Sequence, residues 1–499
     1  MNAYLGIDLG TTAVKATVVD ETGRVLGAAA ATYGYSQPQP GWIEQDPADW
    51  VRLLAETARR AVSDVPARVR ALALSTQGDT AVPVDEAGNA LAPARTWMDT
   101  RTGDQVAQML SVPEGRWYEL TGATPLPHAA AASILWWRDH LGAHFGRVRG
   151  FCLVQDFLTQ WLTGRRLLDA PNASRTLLFD IHRREWSDEL LAALAIPRRY
   201  LAETAEAGTV IGPLLPTVSA ELGLERDVIV VLGGHDQTCA AIGCGVTRPG
   251  SLMLSCGTAW VVLAATDRPL NDPLRALHSY CHAVPGGYAT LGAFAGGNLL
   301  RWFRDELCGT PDGGDSAYDT IVGEAEAAAS AGRPPLLFLP HFYGSTVPAG
   351  CTTARGGWIG LTLAHTRGDM ALGLLRGVAL QTAAVVEHVA RLGAPADDIR
   401  MIGGGSRSAF WAQLVADALQ RPVQLPAVTE AAAYGAALLA GQALGQLAAG
   451  EAEAPGTRLR GTIYPRPSGW LTGAANFAKT CARLATWGQA AQQGSSPDA

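Results

Sequence analysis

Short apolar runs and amphipathic stretches alternate along most of the chain. Apolar runs bounded by glycine predict buried strands, whereas apolar positions spaced three and four residues apart predict helices. The first amphipathic stretch, 49–63, follows Asp46 and Pro47, which are typical of the start of a helix. This alternation predicts an α/β protein. We expect strands at 4–9, 13–20, 25–30, 71–76, 228–234 and 400–402, and further helices at 409–419 and 430–441.

Two glycine–threonine turns, distant in the chain, each join a pair of predicted strands. Leu-Gly-Thr-Thr-Ala-Val at 9–14 is echoed by Cys-Gly-Thr-Ala-Trp-Val at 256–261. The echo predicts two copies of one domain that begins with a β-hairpin, with a junction near 243–247. Asp8 in the first copy has Ser255 as its counterpart, so the two copies are expected to have different functions.

Composition narrows the class of protein. The chain has 499 residues, of which 48% are hydrophobic and 17% charged, and this suits two large folded domains. Its net charge of -7 offers no basic face for nucleic acid. The eight cysteines form no CxxC pair, which argues against a zinc site. Without a signal-peptide pattern or a run of about 18 apolar residues, we expect a cytoplasmic protein with no membrane partner.

An acid precedes the first glycine–threonine turn. Asp8 ends a predicted strand, and the turn that follows carries the hydroxyls of Thr11 and Thr12. Such a turn exposes backbone N–H groups that hold phosphate oxygens, and an acid beside it holds hydrated magnesium. Lys15, one of only two lysines in the chain, is close by in sequence. The alternative is an ordinary hairpin in which Asp8 makes a turn hydrogen bond.

A second acid follows a buried predicted strand. In Gly-Gly-His-Asp-Gln at 233–237, the two glycines allow close approach of the backbone. They place Asp236 at a strand end, where α/β proteins bind their ligands. The alternative is that Asp236 caps the next helix. His235 is predicted to support its neighbours by packing or hydrogen bonding rather than to catalyse.

Two further glycine turns are candidates for a nucleotide site. Ser-Cys-Gly-Thr at 255–258 is a second possible phosphate turn, and Gly-Gly-Gly-Ser-Arg-Ser at 403–408 precedes a predicted helix. The glycine triple would let a flat base or a phosphate approach the backbone. No GxxxxGK[ST], HExxH or GxSxG motif is present, which argues against a P-loop enzyme, a zinc protease and an esterase.

In their order and spacing, these motifs resemble those of the FGGY family of carbohydrate kinases, which shares its fold with actin and hexokinase. The resemblance implies two ribonuclease H-like domains with a cleft between them, at 1–245 and 246–445. An extension at 446–499 follows, and its end is expected to be disordered. The motifs are GIDLGTTAVKA (6–16), GWIEQDP (41–47), WMDTRT (97–102), NASRTLLFD (172–180), GGHDQ (233–237), SCGTA (255–259), GGGSRSAFWAQLVAD (403–417) and EAAAYGAALLAG (430–441).

The resemblance implies ATP-dependent phosphorylation of a sugar hydroxyl, and it implies a role for each matching position. Asp236 corresponds to the catalytic base and, with Asp8, lies near Mg²⁺. The ATP phosphates would be held at Thr11, Thr12, Lys15, Gly257, Thr258 and Gly297, and the adenosine at Gly404 and Ser408. The sugar pocket would be lined by Gln77, Asp79, Trp97, Asp99, Arg101, Asp236 and Gln237.

The sequence departs from the family pattern at two places. Many relatives carry Gly-Glu-Arg where this chain has Gly-Ser-Thr at 344–346. After Gln77, xylulose kinases typically carry Met-His and glycerol kinases Arg-Glu, whereas this chain has Gly78 and Asp79. The resulting Gln-Gly-Asp resembles the run in erythritol-type kinases. A glycine at position 78 is expected to leave room for a longer or differently turned substrate.

The acids of the implied pocket favour a neutral polyhydroxylated substrate over a sugar acid or a sugar phosphate. We expect a ketopentose such as D-xylulose as the substrate, with an erythritol- or ribitol-type polyol as the alternative. A homodimer is an option that the sequence leaves open. A non-catalytic regulator that binds ATP and sugar would be expected to lose Asp8 or Asp236. A chaperone-like or actin-like ATPase would not need the pocket residues at 97–101.

Overall fold

The structure is a computed structural model, and it describes residues 1–311, 313–342, 344, 347, 354–447, 456–467, 469–473 and 477. Two large mixed sheets and the helices that cover them account for most of these residues. The predicted disordered end, and Ser345 and Thr346 of the 344–346 departure, lie outside the described residues.

The first half of the chain builds a six-stranded sheet and an attached layer of smaller sheets and helices. Its strands are β1 (Asn2–Leu9), β2 (Ala13–Asp20), β3 (Val25–Thr32), β4 (Glu44–Gln45), β5 (Arg68–Thr76), β6 (Ala81–Val84), β7 (Ala94–Arg95), β8 (Gly150–Leu153), β9 (Leu167–Asp169), β10 (Phe179–Asp180), β11 (Glu185–Trp186), β12 (Glu203–Ala205), β13 (Val210–Pro213) and β14 (Ile229–His235). Its helices are α1 (Pro47–Val62), α2 (Gly103–Met109), α3 (Glu114–Thr121), α4 (Ala130–His140), α5 (Val154–Thr163), α6 (Ala170–Arg175), α7 (Asp188–Ala193), α8 (Pro216–Leu222) and α9 (Asp236–Gly243).

The second half builds a seven-stranded sheet. Its strands are β15 (Ser251–Cys256), β16 (Ala259–Thr266), β17 (His278–Cys281), β18 (Tyr288–Ala295), β19 (Leu337–Leu339), β20 (Gly357–Ile359), β21 (Asp398–Ile402), β22 (Val423–Pro426) and β23 (Leu459–Ile463). Its helices are α10 (Gly297–Trp302), α11 (Gly314–Ala329), α12 (Arg367–Arg391), α13 (Ala409–Leu419) and α14 (Ala431–Ala443). Strand β23 lies within the predicted extension and pairs with β22.

The two large sheets have the same topology. The first has the order β13-β14-β5-β1-β2-β3, and six strands of the second have the order β23-β22-β21-β15-β16-β18. In both sheets the outer pair is antiparallel, the next two pairings are parallel, and the last two are antiparallel. The internal repeat predicted from the two glycine–threonine turns is therefore confirmed. Strand β17 adds a seventh strand beside β18.

The helices α9 and α14 cross between the two halves. Ala240 of α9 packs in one cluster with Met253 and Leu263 of the second sheet. In contrast, α14 comes late in the chain and packs on the first sheet, where Leu438 lies in one cluster with Tyr4. Each half therefore contributes one helix to the core of the other.

Glycines allow these two helices to approach very closely. A Cβ atom on Gly435 of α14 would overlap the carbonyl oxygen of Cys239 in α9. A Cβ on Gly243 of α9 would overlap the carbonyl oxygen of Ala431 in the same way. Because the obstructing atoms are backbone atoms, a side-chain rotation cannot relieve either overlap. The predicted junction at 243–247 thus begins where the two helices touch.

Among the described residues, the longest helix is α12, which by length and composition alone could cross a membrane. However, 78% of its most apolar window is buried inside the protein. Val378, Val385 and Val389 of this helix belong to the core of the second half. Burial of this kind is that of a central core helix.

Candidate active site

Two acids meet at one edge of the first sheet. Asp8 lies near the end of β1, and Asp236 directly follows the end of β14. The strands β1, β5 and β14 are parallel neighbours, so their carboxyl ends reach the same edge of the sheet. The helix cap of α9 is His235, and Asp236 is the first residue inside the helix. The alternative in which Asp236 acts as the cap is therefore wrong.

Burial and mutual repulsion disfavour charge on both acids. Burial, followed by the negative charge of Asp236, raises the pKa of Asp8 to about 7. The hydroxyl of Ser75 donates to Asp8 Oδ1 at 2.7 Å and opposes this shift. Burial likewise raises the pKa of Asp236 to about 6, against hydrogen bonds from Gln237. Two acids with raised pKa values in one cleft are typical of a functional site.

The first glycine–threonine turn is tied to the predicted sugar pocket by a chain of amides. Gln77 donates from Nε2 to Gln45 Oε1 at 2.8 Å, and Gln45 donates from Nε2 to the carbonyl oxygen of Thr11 at 2.7 Å. Trp97 donates from Nε1 to Thr11 Oγ1 at 2.8 Å, although the residue is 43% exposed. Thr12 is exposed at the tip of the turn. The turn and the pocket therefore form one connected unit.

The second glycine–threonine turn gathers the other predicted nucleotide residues. Gly257 and Thr258 are exposed, and the N–H of Asn298 donates to the carbonyl oxygen of Thr258 at 2.8 Å. A Cβ on Gly297 would overlap the carbonyl oxygen of Gly257. Only a glycine at position 297 therefore lets α10 begin against this turn.

The glycine triple lies on the same side of the second sheet as this turn. Gly403 has φ +83°, and a Cβ on it would lie 3.0 Å from the backbone of Cys256. Gly404 is exposed beside Cys256. Ser408 caps α13, since its Oγ accepts from the N–H of Trp411 at 3.1 Å. The structure therefore brings Gly257, Thr258, Gly297 and Gly404 together, with Ser408 one turn further on.

Lys15 is paired rather than free. Its Nζ lies 2.6 Å from Glu430 Oε2, and both side chains are partly exposed. Glu430 precedes α14 and contributes to the field at Asp8. Sequence reasoning assigned no role to this glutamate, because it comes from a segment more than 400 positions away.

Asp99 and Arg101 satisfy one another within the protein. The Asp99 side chain is 0% exposed and accepts from Arg101 Nη2 at 2.6 Å and from Arg95 Nε at 3.2 Å. Arg101 Nη1 also lies 2.8 Å from Glu44, and its guanidinium lies 3.7 Å from the ring centroid of Trp42. The direct sugar contacts predicted for Asp99 and Arg101 stay a prediction. Both side chains are already engaged in fixing the loop that carries Trp97.

A further set of pocket residues was missed by sequence reasoning. Arg175 at the end of α6 donates from Nη2 to Asp79 Oδ2 at 2.7 Å, and both side chains are largely buried. Its Nη1 lies 3.4 Å from Nδ1 of His278, which belongs to the second sheet. Burial, followed by the charge of Arg175, lowers the pKa of His278 to about 3. The arginine of this ion pair thus also contacts the second half of the chain.

The space beside Gly78 is filled. A Cβ on Gly78 would lie 2.7 Å from Cδ2 of His235 and 3.5 Å from Cγ of Arg175. The expectation that a glycine here leaves room for a longer substrate is therefore wrong. The imidazole of His235 occupies that room.

Several buried polar atoms around Asp236 have no protein partner among the described residues. They lie on side chains that converge from both halves of the chain, and a buried polar atom without a partner costs free energy. Hydroxyl groups of a ligand are suitable partners, because each can donate and accept. The atoms are Gln77 Oε1, Gln237 Oε1, His235 Nδ1 and Tyr280 Oη.

This arrangement can be compared with known proteins. Residues 3–243 match the N-terminal domain of the FGGY family of carbohydrate kinases, and residues 252–444 match its C-terminal domain. The chain belongs to this family. The family membership predicted from the motifs is confirmed, and so is the prediction of a carbohydrate kinase that uses ATP.

Relatives of this kinase include proteins named for two different substrates. It is 33% identical to the xylulose kinase of Klebsiella pneumoniae over 418 residues, covering 83% of this chain and 84% of the relative. It is also 33% identical to the glycerol kinase of Bordetella parapertussis over 461 residues, covering 88% of each chain. The solved xylulose kinase of Rhodospirillum rubrum is 29% identical, with a TM-score of 0.83 and 98% of each chain covered. The fold predicted for the kinase, two actin- and hexokinase-type domains with a cleft between them, is confirmed.

We expect that Asp79→Ala weakens both catalysis and folding of the kinase. Loss of a buried hydrogen-bonding group lowers kcat/KM by an amount equivalent to about 1–3 kcal/mol. Removing one partner of a buried pair also leaves Arg175 uncompensated, at a cost of about 3–5 kcal/mol in stability. Steady-state kinetics and chemical denaturation measure the two effects.

The double variant Asp79→Ala/Arg175→Met is the matched control for this pair. It removes both charges, so stability should recover while kcat/KM stays low. If Asp79→Ala left kcat/KM unchanged, Asp79 would be a turn residue without a part in substrate binding.

Proposed function

We propose that the kinase transfers the γ-phosphoryl group of ATP to a hydroxyl of a small neutral sugar or polyol, with a ketopentose such as xylulose favoured. The observation that carries this proposal is Asp236, partly exposed at the end of β14 and flanked by buried polar atoms of His235, Gln237 and Tyr280 that lack partners among the described residues. A polyhydroxylated chain offers a partner to each of these atoms.

Asp236 acts as the general base in this proposal. A carboxylate with a pKa near 6 is ionised at neutral pH and still basic enough to accept a proton from an attacking hydroxyl. The product carries the phosphoryl group on that oxygen, and ADP leaves. Asp8 lies two strands away on β1, where its Oδ1 accepts a hydrogen bond from Ser75, and it takes no part in the proton transfer in this proposal.

Asp8 and Asp236 fit a magnesium ion. Mg²⁺ in kinases is bound by one or two carboxylates together with water and substrate phosphates, rather than by a full protein cage. The pair Asp8 and Asp236 matches this pattern, because the described residues contain no group of three or more side chains that could hold a metal ion. The two carboxylates repel one another, and a bound cation would relieve this repulsion. When bound, the ion neutralises phosphate charge during transfer.

The nucleotide is proposed to lie along the two glycine–threonine turns. Phosphate oxygens would be held by the partly exposed Thr11 and exposed Thr12 on one side, and by the exposed Gly257 and Thr258 with the partly exposed Gly297 on the other. Lys15 adds a positive charge near the first turn, shared with Glu430. Gly404 and Ser408 are proposed to contact the adenosine.

Charge pairing within the pocket favours a neutral acceptor. Asp79 is neutralised by Arg175, and Asp99 is neutralised by Arg95 and Arg101. The remaining negative charge is that of Asp236 with Asp8, which repels an anionic sugar. Relatives named for xylulose support the ketopentose, and the Gln-Gly-Asp run at 77–79 supports a four- or five-carbon polyol as the second candidate. Trp97 and Gln237 are proposed to complete the sugar site.

We expect ADP formation from Mg-ATP when the correct acceptor is present. A screen of four- to seven-carbon ketoses, aldoses and polyols with an ADP-coupled assay identifies it, and a sugar acid and a sugar phosphate serve as anionic comparisons. A neutral compound should give the highest kcat/KM. If ATP and sugar bind in calorimetry but no compound yields ADP, the protein is a regulator that has kept the kinase fold.

A further inference from the structure

Residues 78 and 235 compete for one volume. Strands β5 and β14 are neighbours, and His235 pairs with Thr76 at their ends. Gly78 follows two residues later, with its missing side chain directed at the imidazole of His235: a Cβ there would lie 2.7 Å from Cδ2 and 2.8 Å from Nε2. Packed interiors do not tolerate such an approach without displacement. A side chain at 78 and an imidazole at 235 therefore exclude one another.

The imidazole is held in place from the second half of the chain. Its ring meets the ring of Tyr280 edge to face, with centroids 5.5 Å apart and planes at 87°. Tyr280 lies on β17 and is buried. The guanidinium of Arg175 lies 5.6 Å from the Tyr280 ring centroid, so these three side chains pack as one group.

The same imidazole touches the proposed base. Its Nε2 lies 3.2 Å from Oδ1 of Asp236. This contact fixes the position of the Asp236 carboxylate.

We propose that His235 is a specificity-determining and positioning residue of the acceptor site: its imidazole supplies the pocket wall in place of a side chain at residue 78, and it holds the Asp236 carboxylate. This inference rests on the proposed function, because it assigns His235 to the site in which Asp236 serves as base. It places the wall of the acceptor pocket on β14 and, through Tyr280, in contact with the second half of the chain.

A double-mutant cycle tests the shared volume. Wild type, Gly78→Ala, His235→Ala and the double variant are assayed with D-xylulose and with erythritol, and their thermal unfolding is followed. We expect Gly78→Ala to lower kcat/KM by about 10–100-fold in the wild-type background and by less than about 3-fold in the His235→Ala background. If Gly78→Ala lowered kcat/KM equally in both backgrounds, residues 78 and 235 would not share one volume. Gly323→Ala, in a helix with open space around that glycine, is the matched control and should leave kcat/KM unchanged.

His235→Phe separates shape from positioning. Phenylalanine fills the ring-shaped volume but has no nitrogen to contact Asp236. We expect KM for the acceptor to change by less than about 3-fold and kcat to fall about 10-fold, while His235→Ala changes the ratio of kcat/KM between the two acceptors by about 10-fold. A His235→Phe enzyme with wild-type kcat would overturn the positioning role, and an unchanged acceptor ratio in His235→Ala would overturn the specificity role.

The unfolding data keep this inference distinct from the proposed function. If wild type produces no ADP with any acceptor, the kinase reaction is wrong, yet the unfolding temperatures still report the coupling between positions 78 and 235. If wild type is active and the cycle shows no coupling in either kinetics or unfolding, the inference fails while the kinase reaction stands.

Discussion

Replacing Asp236 with asparagine should lower kcat by about 10²–10⁴-fold, the usual contribution of a general base. The amide keeps the size of the carboxylate and can still bond to a hydroxyl, but it cannot accept the proton. The KM values for ATP and for the acceptor should therefore change little. Stability should not fall, because the change removes a negative charge that repels Asp8. Steady-state kinetics and thermal unfolding on the same preparation measure both effects.

The pH dependence of the wild type gives an independent measure of the same group. The pKa of Asp236 is raised to about 6, so kcat/KM should fall as the pH drops through that value and the carboxylate gains a proton. This acid limb should be missing from the residual activity of Asp236→Asn. Asp188→Asn, at an acid with an 85% exposed side chain, is the control and should behave as wild type. Near-normal turnover by Asp236→Asn would show that another group takes the proton.

Gly435→Ala should destabilise the protein by about 1–3 kcal/mol, although the same change in an open helix is stabilising by up to about 1 kcal/mol. The added methyl group would overlap the carbonyl oxygen of Cys239, and both helices would have to separate to admit it. Since α9 begins with Asp236, the separation would also move the proposed base. We therefore expect kcat to fall together with the free energy of unfolding.

Gly323→Ala again supplies the comparison for this change. It adds the same methyl group to a helix where no atom lies within 4 Å of the new Cβ, so the protein should become slightly more stable and stay fully active. Denaturant titration resolves the difference in sign between the two variants. A Gly435→Ala protein as stable as Gly323→Ala would mean that the helices do not meet at the separation described.

The parts of the site that could be predicted from the sequence are those carried by local motifs. The two glycine–threonine turns and the acid after β14 are each contained in a few consecutive residues, so their chemistry is visible before folding. Asp99 and Arg101 were also visible, but their partners were not. Only the packed structure shows that Arg95 and Glu44 engage them.

The missed residues come from segments whose local patterns are ordinary. Arg175 ends a short helix, and His278 and Tyr280 lie on a strand of the other half. Nothing in the spacing of these residues indicates that they meet, because their proximity depends on how the halves pack. The exchange of α9 and α14 escaped prediction for the same reason: an apolar helix face predicts burial but does not identify the sheet that covers it.

That exchange also determines when the first sheet can be completed during synthesis. The face of β1 and β5 that carries Tyr4 and Ala71 is covered by α14, whose residues leave the ribosome only near the end of translation. At about 5–20 residues per second, roughly 20–70 seconds separate the appearance of β5 from that of its covering helix. Throughout that interval the nascent chain carries an open apolar surface. The N-terminal half therefore cannot complete its core from its own residues, and part of its apolar surface stays open until α14 has been synthesised.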